Sequence, residues 1–177
     1  VCDLAPHDGA CIRARLAANG RIQPMSIDIS LEVNGTAHQL SIEPTETLID
    51  VLRNRLNLTG TNKDCAMGIC GACTVLLNGQ PVSSCILLAV QTDGSAVTTV
   101  EALEREGILS PLQEAFLKYG AVQCGYCTPG FLITATALLK ENPAANRDEI
   151  IDALKGNLCR CTGYKKIIEA VESVANR

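Results

Sequence analysis

Eight of the ten cysteines in this 177-residue chain fall into two tight sets. The first lies in the stretch CAMGICGACTVLLNGQPVSSC and comprises Cys65, Cys70, Cys73 and Cys85. Its C-x4-C-x2-C spacing, with a fourth cysteine further on, is the plant-type spacing for a [2Fe–2S] cluster. Three thiolates in one short loop can wrap two irons. Gly68 and Gly71 stand between them. Glycine permits positive φ and close backbone approach, so that amide N–H groups can point at cluster sulfurs.

The second set is Cys124-Gly-Tyr-Cys127 with Cys159-Arg-Cys161. Each half precedes a helical pattern, at Thr128-Pro129 and at Thr162-Gly163-Tyr164. Two helix N-termini facing one point, with their unpaired N–H groups and partial positive charge, suit a net-negative thiolate-ligated cluster. Structural zinc is the main rival, since C-x2-C pairs also make zinc sites, although C-x-C is tighter than common zinc spacings. A thioredoxin-like use of Cys124 and Cys127 lacks the βαβ context it needs. Neither histidine, His7 nor His38, adjoins a cysteine set, which argues against a Rieske centre.

The elements that must position these sets read in two groups. SIDISLEVNG alternates apolar Ile27, Ile29, Leu31 and Val33 with polar neighbours and ends on Asn34-Gly35, a hairpin signal. A return strand is expected over 37–42. Thr45 is then expected to cap a helix, TETLIDVLRNRLN, with Leu48, Ile49, Leu52 and Leu56 on its apolar face. Strands are expected over 74–77 and 96–100, with a second hairpin turn at Asn78-Gly79. After about Glu101 the pattern turns helical. Ser110-Pro111-Leu112-Gln113 is a capping box. Thr128-Pro129 opens a helix with Phe131, Leu132, Ala135, Leu138 and Leu139 on one face. Asn146 to Glu149 starts another, closed by Gly156, and a last one runs from about Tyr164 with Ile167, Ile168, Val171 and Val174 inward. The expected class is α+β: a small metal-bearing roll at 26–102, then four short helices at 103–177. Residues 1–25 form an extension without periodicity, read as a surface arm in which Cys2 and Cys11 are free thiols.

Composition narrows the function. Aromatic residues make up 3% of the chain and tryptophan is absent, so a half-length domain would have a modest core and would gain from metal staples. A formal charge of −4 argues against general nucleic-acid binding. There is no Walker or G-x-G-x-x-G motif, no apolar segment of signal-peptide or membrane-spanning length, and no twin-arginine pair. The reading is cytoplasmic, with the cysteines as metal ligands.

The strings CGACTV, QCGYCTPG and GNLCRCTGY, in this order, resemble the iron–sulfur small subunit of the molybdenum hydroxylases, from about Ser26 to the C-terminus. That family includes xanthine dehydrogenase, aldehyde oxidase, carbon monoxide dehydrogenase and bacterial quinoline, nicotine and nicotinate dehydrogenases. The resemblance implies an N-terminal β-grasp ferredoxin-like domain and a C-terminal four-helix domain, each with one [2Fe–2S] cluster. It implies a large molybdopterin-binding subunit beside the helical cluster and a medium FAD-binding subunit beside the plant-type one, in a dimer of heterotrimers. Gln123 and Cys161 correspond to residues that contact the pterin. The activity implied is one-electron relay during hydroxylation of an N-heterocycle or aldehyde, with no acid, base or nucleophile in this chain. A free-standing carrier, or the electron-input subunit of an aromatic thioester reductase, is the alternative. Asp64 departs from the family pattern, in which glycine is common before the first cysteine; turned inward, its charge would disfavour reduction.

Overall fold

The computed structural model describes residues 25–175, so the readings of Cys2, Cys11 and the arm that carries them lie outside the described residues. Five strands form one mixed sheet: β1 (Ile27–Val33), β2 (Thr36–Ile42), β3 (Thr74–Leu77), β4 (Gln80–Ser83) and β5 (Ala96–Thr98), in the order β2-β1-β5-β3-β4. β1 and β2 pair antiparallel from Ile27↔Ile42 to Val33↔Thr36, around a turn whose Asn34 and Gly35 have φ of 54° and 80°. Positive φ at both turn residues matches the right-handed twist of the strands, which is why Asn-Gly serves there. β1 runs parallel to β5, and β5 antiparallel to β3. The alternation read from the sequence holds: Ile29, Leu31 and Val33 point into a core shared with Ile42, Leu48, Val51, Leu52, Val75 and Val97.

The first helix departs from expectation. Thr47, not Thr45, is its N-cap, and its hydroxyl bonds the Asp50 carboxylate at 2.6 Å instead of capping an amide. α1 (Leu48–Asp50) continues as a π-helix over Val51–Arg55, with the Leu56 N–H donating to the Val51 carbonyl at 3.2 Å. Leu48, Ile49, Val51 and Leu52 are all buried, whereas Leu56 is only partly so. These four positions follow the ordinary i, i+3, i+4 pattern of a helix face, so the buried stripe itself does not account for the π-turn.

The remaining helices are α2 (Pro111–Lys118), α3 (Thr128–Glu141), α4 (Arg147–Leu154) and α5 (Lys165–Ala175). α2 packs on α5 and α3, and α4 on α3 and α5. Their core holds Leu112, Phe116, Phe131, Leu132, Ile150, Leu154, Ile167 and Val171. The single apolar face expected of α3 is incomplete, because its other side is also buried: Ile133 and Ala137 pack on Leu76 of β3. α3 is thus a wall of both cores. The expected strand over 96–100 ends at Thr98, and a 3-10 turn covers Val100–Leu103. The α+β class stands, and among the described residues no helix is long and apolar enough to cross a membrane.

The expected capping boxes at Ser110 and Asn146 both form. Asn146 Oδ1 accepts the N–H groups of Asp148 and Glu149 at 3.0 and 3.1 Å, while the Asn146 N–H donates to Glu149 Oε2 at 2.7 Å. Asn146→Ala should cost about 1 kcal/mol and lower the thermal midpoint by about 2–4 °C. An unchanged midpoint would show that water satisfies those amides equally well.

Candidate metal centres: two sets of paired thiols

The loop from Cys65 to Cys73 turns on left-handed residues, with Ala66, Gly68 and Gly71 at φ of 53°, 72° and 69°. This winding aims amides at sulfur: the N–H groups of Met67, Ile69 and Cys70 each donate to Cys65 Sγ at 3.4 Å. Those backbone donors, with Met67 foremost, pull the Cys65 thiol down to about 6. The Gly68 N–H serves Cys85 in the same way, but burial and the neighbouring Cys73 thiol push Cys85 up to about 11. Cys70, Cys73 and Cys85 are buried, and Cys73 and Cys85 sit against Ile49. Asp64 is exposed, so its charge faces solvent.

In the second set Cys127 is the N-cap residue of α3, as its sequence position suggested. Cys161 is not at a helix N-terminus: α5 begins at Lys165, and Tyr164 before it has φ of 67°. The donors around Cys159 therefore come from a loop. The Thr162 N–H donates to Cys159 Sγ at 3.3 Å, and Thr162 Oγ1 lies 3.0 Å from the same sulfur. Burial raises the Cys159 thiol, but the Thr162 hydroxyl and amide outweigh it and leave it lowered. Cys127 is pushed up to about 12 by burial and by Cys159. Cys124 and Cys161 are exposed, with their sulfurs 3.5 Å apart.

The thiols thus stand two by two: Cys65 interacts with Cys70, Cys73 with Cys85, Cys127 with Cys159, and Cys124 with Cys161. Among the described residues no three Cys, His, Asp or Glu donors converge as they would around one ion. Two pairs per set is the donor chemistry a [2Fe–2S] group needs, since four cysteines share two irons. Binding of iron would displace the thiol protons, and its positive charge would offset the mutual repulsion of the paired thiolates.

The two sets are tied together by groups that the spacing of the cysteines does not reveal. The Leu158 N–H donates to the Cys70 carbonyl at 2.8 Å, linking a first-set cysteine to the residue before Cys159. Asn157, only 3% exposed, donates from Nδ2 to the Gly71 carbonyl at 3.0 Å. Tyr126, between Cys124 and Cys127, donates its hydroxyl to the Lys63 carbonyl at 2.8 Å, and its own carbonyl accepts from Asn62 Nδ2 at 2.9 Å. Gly71 of the first loop and Gly130 in the first turn of α3 are where the two halves touch. A Cβ on Gly130 would lie 2.2 Å from the Gly71 carbonyl oxygen, and one on Gly71 would lie 2.5 Å from the Gly156 oxygen. Gln123 and Cys161, expected at a pterin edge, are both exposed.

Two family models match the chain: a 2Fe-2S iron-sulfur cluster binding domain over residues 31–99 and a [2Fe-2S] binding domain over residues 99–172. The small subunit of nicotine 6-hydroxylase from Paenarthrobacter nicotinovorans is 53% identical over 145 residues, covering 82% of this chain and 87% of that one. The small FeS subunit of nicotinate dehydrogenase from Eubacterium barkeri is 50% identical over 151 residues, covering 85% and 96%. This chain belongs to the iron–sulfur small subunits of the molybdenum hydroxylase family. Among solved structures, quinoline 2-oxidoreductase from Pseudomonas putida 86 aligns with a TM-score of 0.83 at 46% identity, over 85% of this chain and 93% of that one. The small subunit described here therefore carries two [2Fe–2S] clusters and serves a multi-subunit oxidoreductase.

Proposed function

We propose that this small subunit relays single electrons between a molybdopterin site in a large partner and FAD in a medium partner, during hydroxylation of an N-heterocycle or aldehyde. The observation that carries the reading is the direct backbone hydrogen bond from Leu158 to Cys70, which joins two sets of four paired thiols. Bound [2Fe–2S] groups supply one-electron redox chemistry; no acid–base chemistry is required of the chain. Cys65, Cys70, Cys73 and Cys85 are the proposed ligands of one cluster, with Gly68 and Gly71 shaping its loop. Cys124, Cys127, Cys159 and Cys161 are the proposed ligands of the other. Residues 26–102 house the first in a β-grasp ferredoxin-like domain, and residues 103–177 house the second among four helices.

Exposure supports the partners. Cys124, Cys161 and Gln123 lie open on one loop surface, which suits coverage by a molybdopterin-bearing subunit with Gln123 and Cys161 at the pterin. On the loop that follows Cys65 and beside it, Met67, Ile69 and Ile86 are 65%, 61% and 59% exposed, with Ile86 against Gly68. That apolar collar suits a second partner, the flavoprotein, because exposed apolar groups gathered at one site mark interaction surfaces. The relatives' names, nicotine 6-hydroxylase and nicotinate dehydrogenase, favour an N-heterocycle as substrate. A cytoplasmic dimer of heterotrimers is the assembly we infer from family resemblance.

Metal analysis of the natively purified complex tests the reading. About four irons per small subunit, as two [2Fe–2S] clusters require, together with molybdenum, FAD and two co-purifying chains, are expected. Reduction should give two distinct electron paramagnetic resonance signals. Zinc in place of iron, or one signal alone, would overturn the two-cluster assignment; iron without molybdenum or partner chains would replace it with a free-standing carrier.

A further inference from the structure

We infer that the Thr162 side chain is a redox-tuning residue: its hydroxyl donates a hydrogen bond to the Cys159 sulfur and raises the reduction potential of the helical-domain cluster. The inference rests on the reading above that Cys159 is a cluster ligand.

The direction of the bond follows from its surroundings. Thr162 Oγ1 lies 3.0 Å from Cys159 Sγ and 3.3 Å from the Tyr164 amide nitrogen, whose N–H it accepts. A ligating thiolate has no proton to give. The hydroxyl proton is therefore left to donate to sulfur. The loop holds this arrangement closed. The Cys159 N–H donates to the Tyr164 hydroxyl at 3.0 Å, the Tyr164 N–H to Thr162, and Thr162 to Cys159. Tyr164 is the pin: its backbone is left-handed at φ 67°, and its ring meets buried Phe131 edge-on at 6.2 Å. Three mutually supporting hydrogen bonds thus fix one hydroxyl on one sulfur.

The consequence is electrostatic. Adding an electron makes a thiolate-ligated cluster more negative, and a donor on its sulfur stabilises that form more than the oxidised one. At Cys65 the donors are backbone amides of Met67, Ile69 and Cys70, which no substitution removes cleanly. At Cys159 one donor is a side chain, so this cluster's potential can be altered through a single residue.

The test is a potentiometric titration of the purified complex followed by electron paramagnetic resonance, with Thr162→Val, Thr162→Ala and Thr162→Ser. In the Val variant the oxidised-to-reduced ratio of the helical-domain cluster, at its wild-type midpoint, should rise about tenfold, equivalent to about 59 mV for a one-electron couple. The other cluster should not move, and Ser should restore the wild-type value. An unchanged midpoint in an iron-replete Val or Ala variant overturns the inference, as does a Ser variant that behaves like Val. If both hydroxyl-free variants fail to take up iron while Ser loads normally, Thr162 is an assembly requirement and the tuning role is overturned. A wild-type complex lacking the second signal would instead indict the ligand assignment.

Discussion

In Cys159→Ser one of the two [2Fe–2S] resonance signals is expected to vanish while the signal from the Cys65 loop persists, and turnover of the complex is expected to stop. Cys159 is the most enclosed cysteine of its set, at 9% exposure, and it stands against Cys127. Losing its thiolate leaves Cys127, Cys124 and Cys161 as an incomplete donor set. The effect should exceed the roughly 10–100-fold that removal of an outer hydrogen-bonding partner causes at metal sites. Iron content should fall by half. The first set should survive because its proposed ligands and amide donors come from residues 65–85. Full turnover in this variant would remove the second set from the electron path.

Gly130→Ala should be strongly destabilising. Alanine inside a helix is ordinarily better than glycine by about 1 kcal/mol. Here the sign reverses, because the added carbon would sit 2.2 Å from the Gly71 carbonyl oxygen and 3.0 Å from Asn157 Nδ2. The nearest obstacle is backbone, and it belongs to the loop between Cys70 and Cys73, so it has little room to yield. That carbonyl also accepts from the Thr74 hydroxyl at 2.7 Å and from Asn157. A net loss of about 2 kcal/mol or more is expected, lowering the thermal midpoint by about 5 °C and reducing iron in both sets. A variant with the wild-type midpoint and full iron would show that α3 can move away from the loop without cost.

Much of this was legible in the sequence, and the exceptions share a cause. Alternation over Ile27 to Val33, both Asn-Gly turns and the two capping boxes are local patterns, set by residues within a few positions of each other. Cysteine spacing pointed to the eight thiols for a similar reason, although only the fold pairs them. What escaped were residues whose role exists only across the contact between the halves. Asn157 is a polar side chain buried against the Gly71 loop, 86 positions away. Gly130 looks like an ordinary weak spot in a helix until its neighbour is known. The second buried face of α3 likewise answers to packing against the sheet. Thr162 carried a faint signal, as a hydroxyl three positions after Cys159, but only the left-handed Tyr164 shows where that hydroxyl is held.

The placement of α3 bears on kinetics. Phe131, Leu132 and Ala135 belong to the helical core, whereas Ile133 and Ala137 lie against the sheet. A hinge between the halves would have to pull one helix out of two interiors at once. A fixed gap leaves no domain motion that could gate transfer between the two sets. If the two sets hold clusters as proposed, transfer between them should be ungated by domain motion and insensitive to solvent viscosity. Control of the proposed transfer would then act through driving force, as at Thr162, and not through the distance between the two sets.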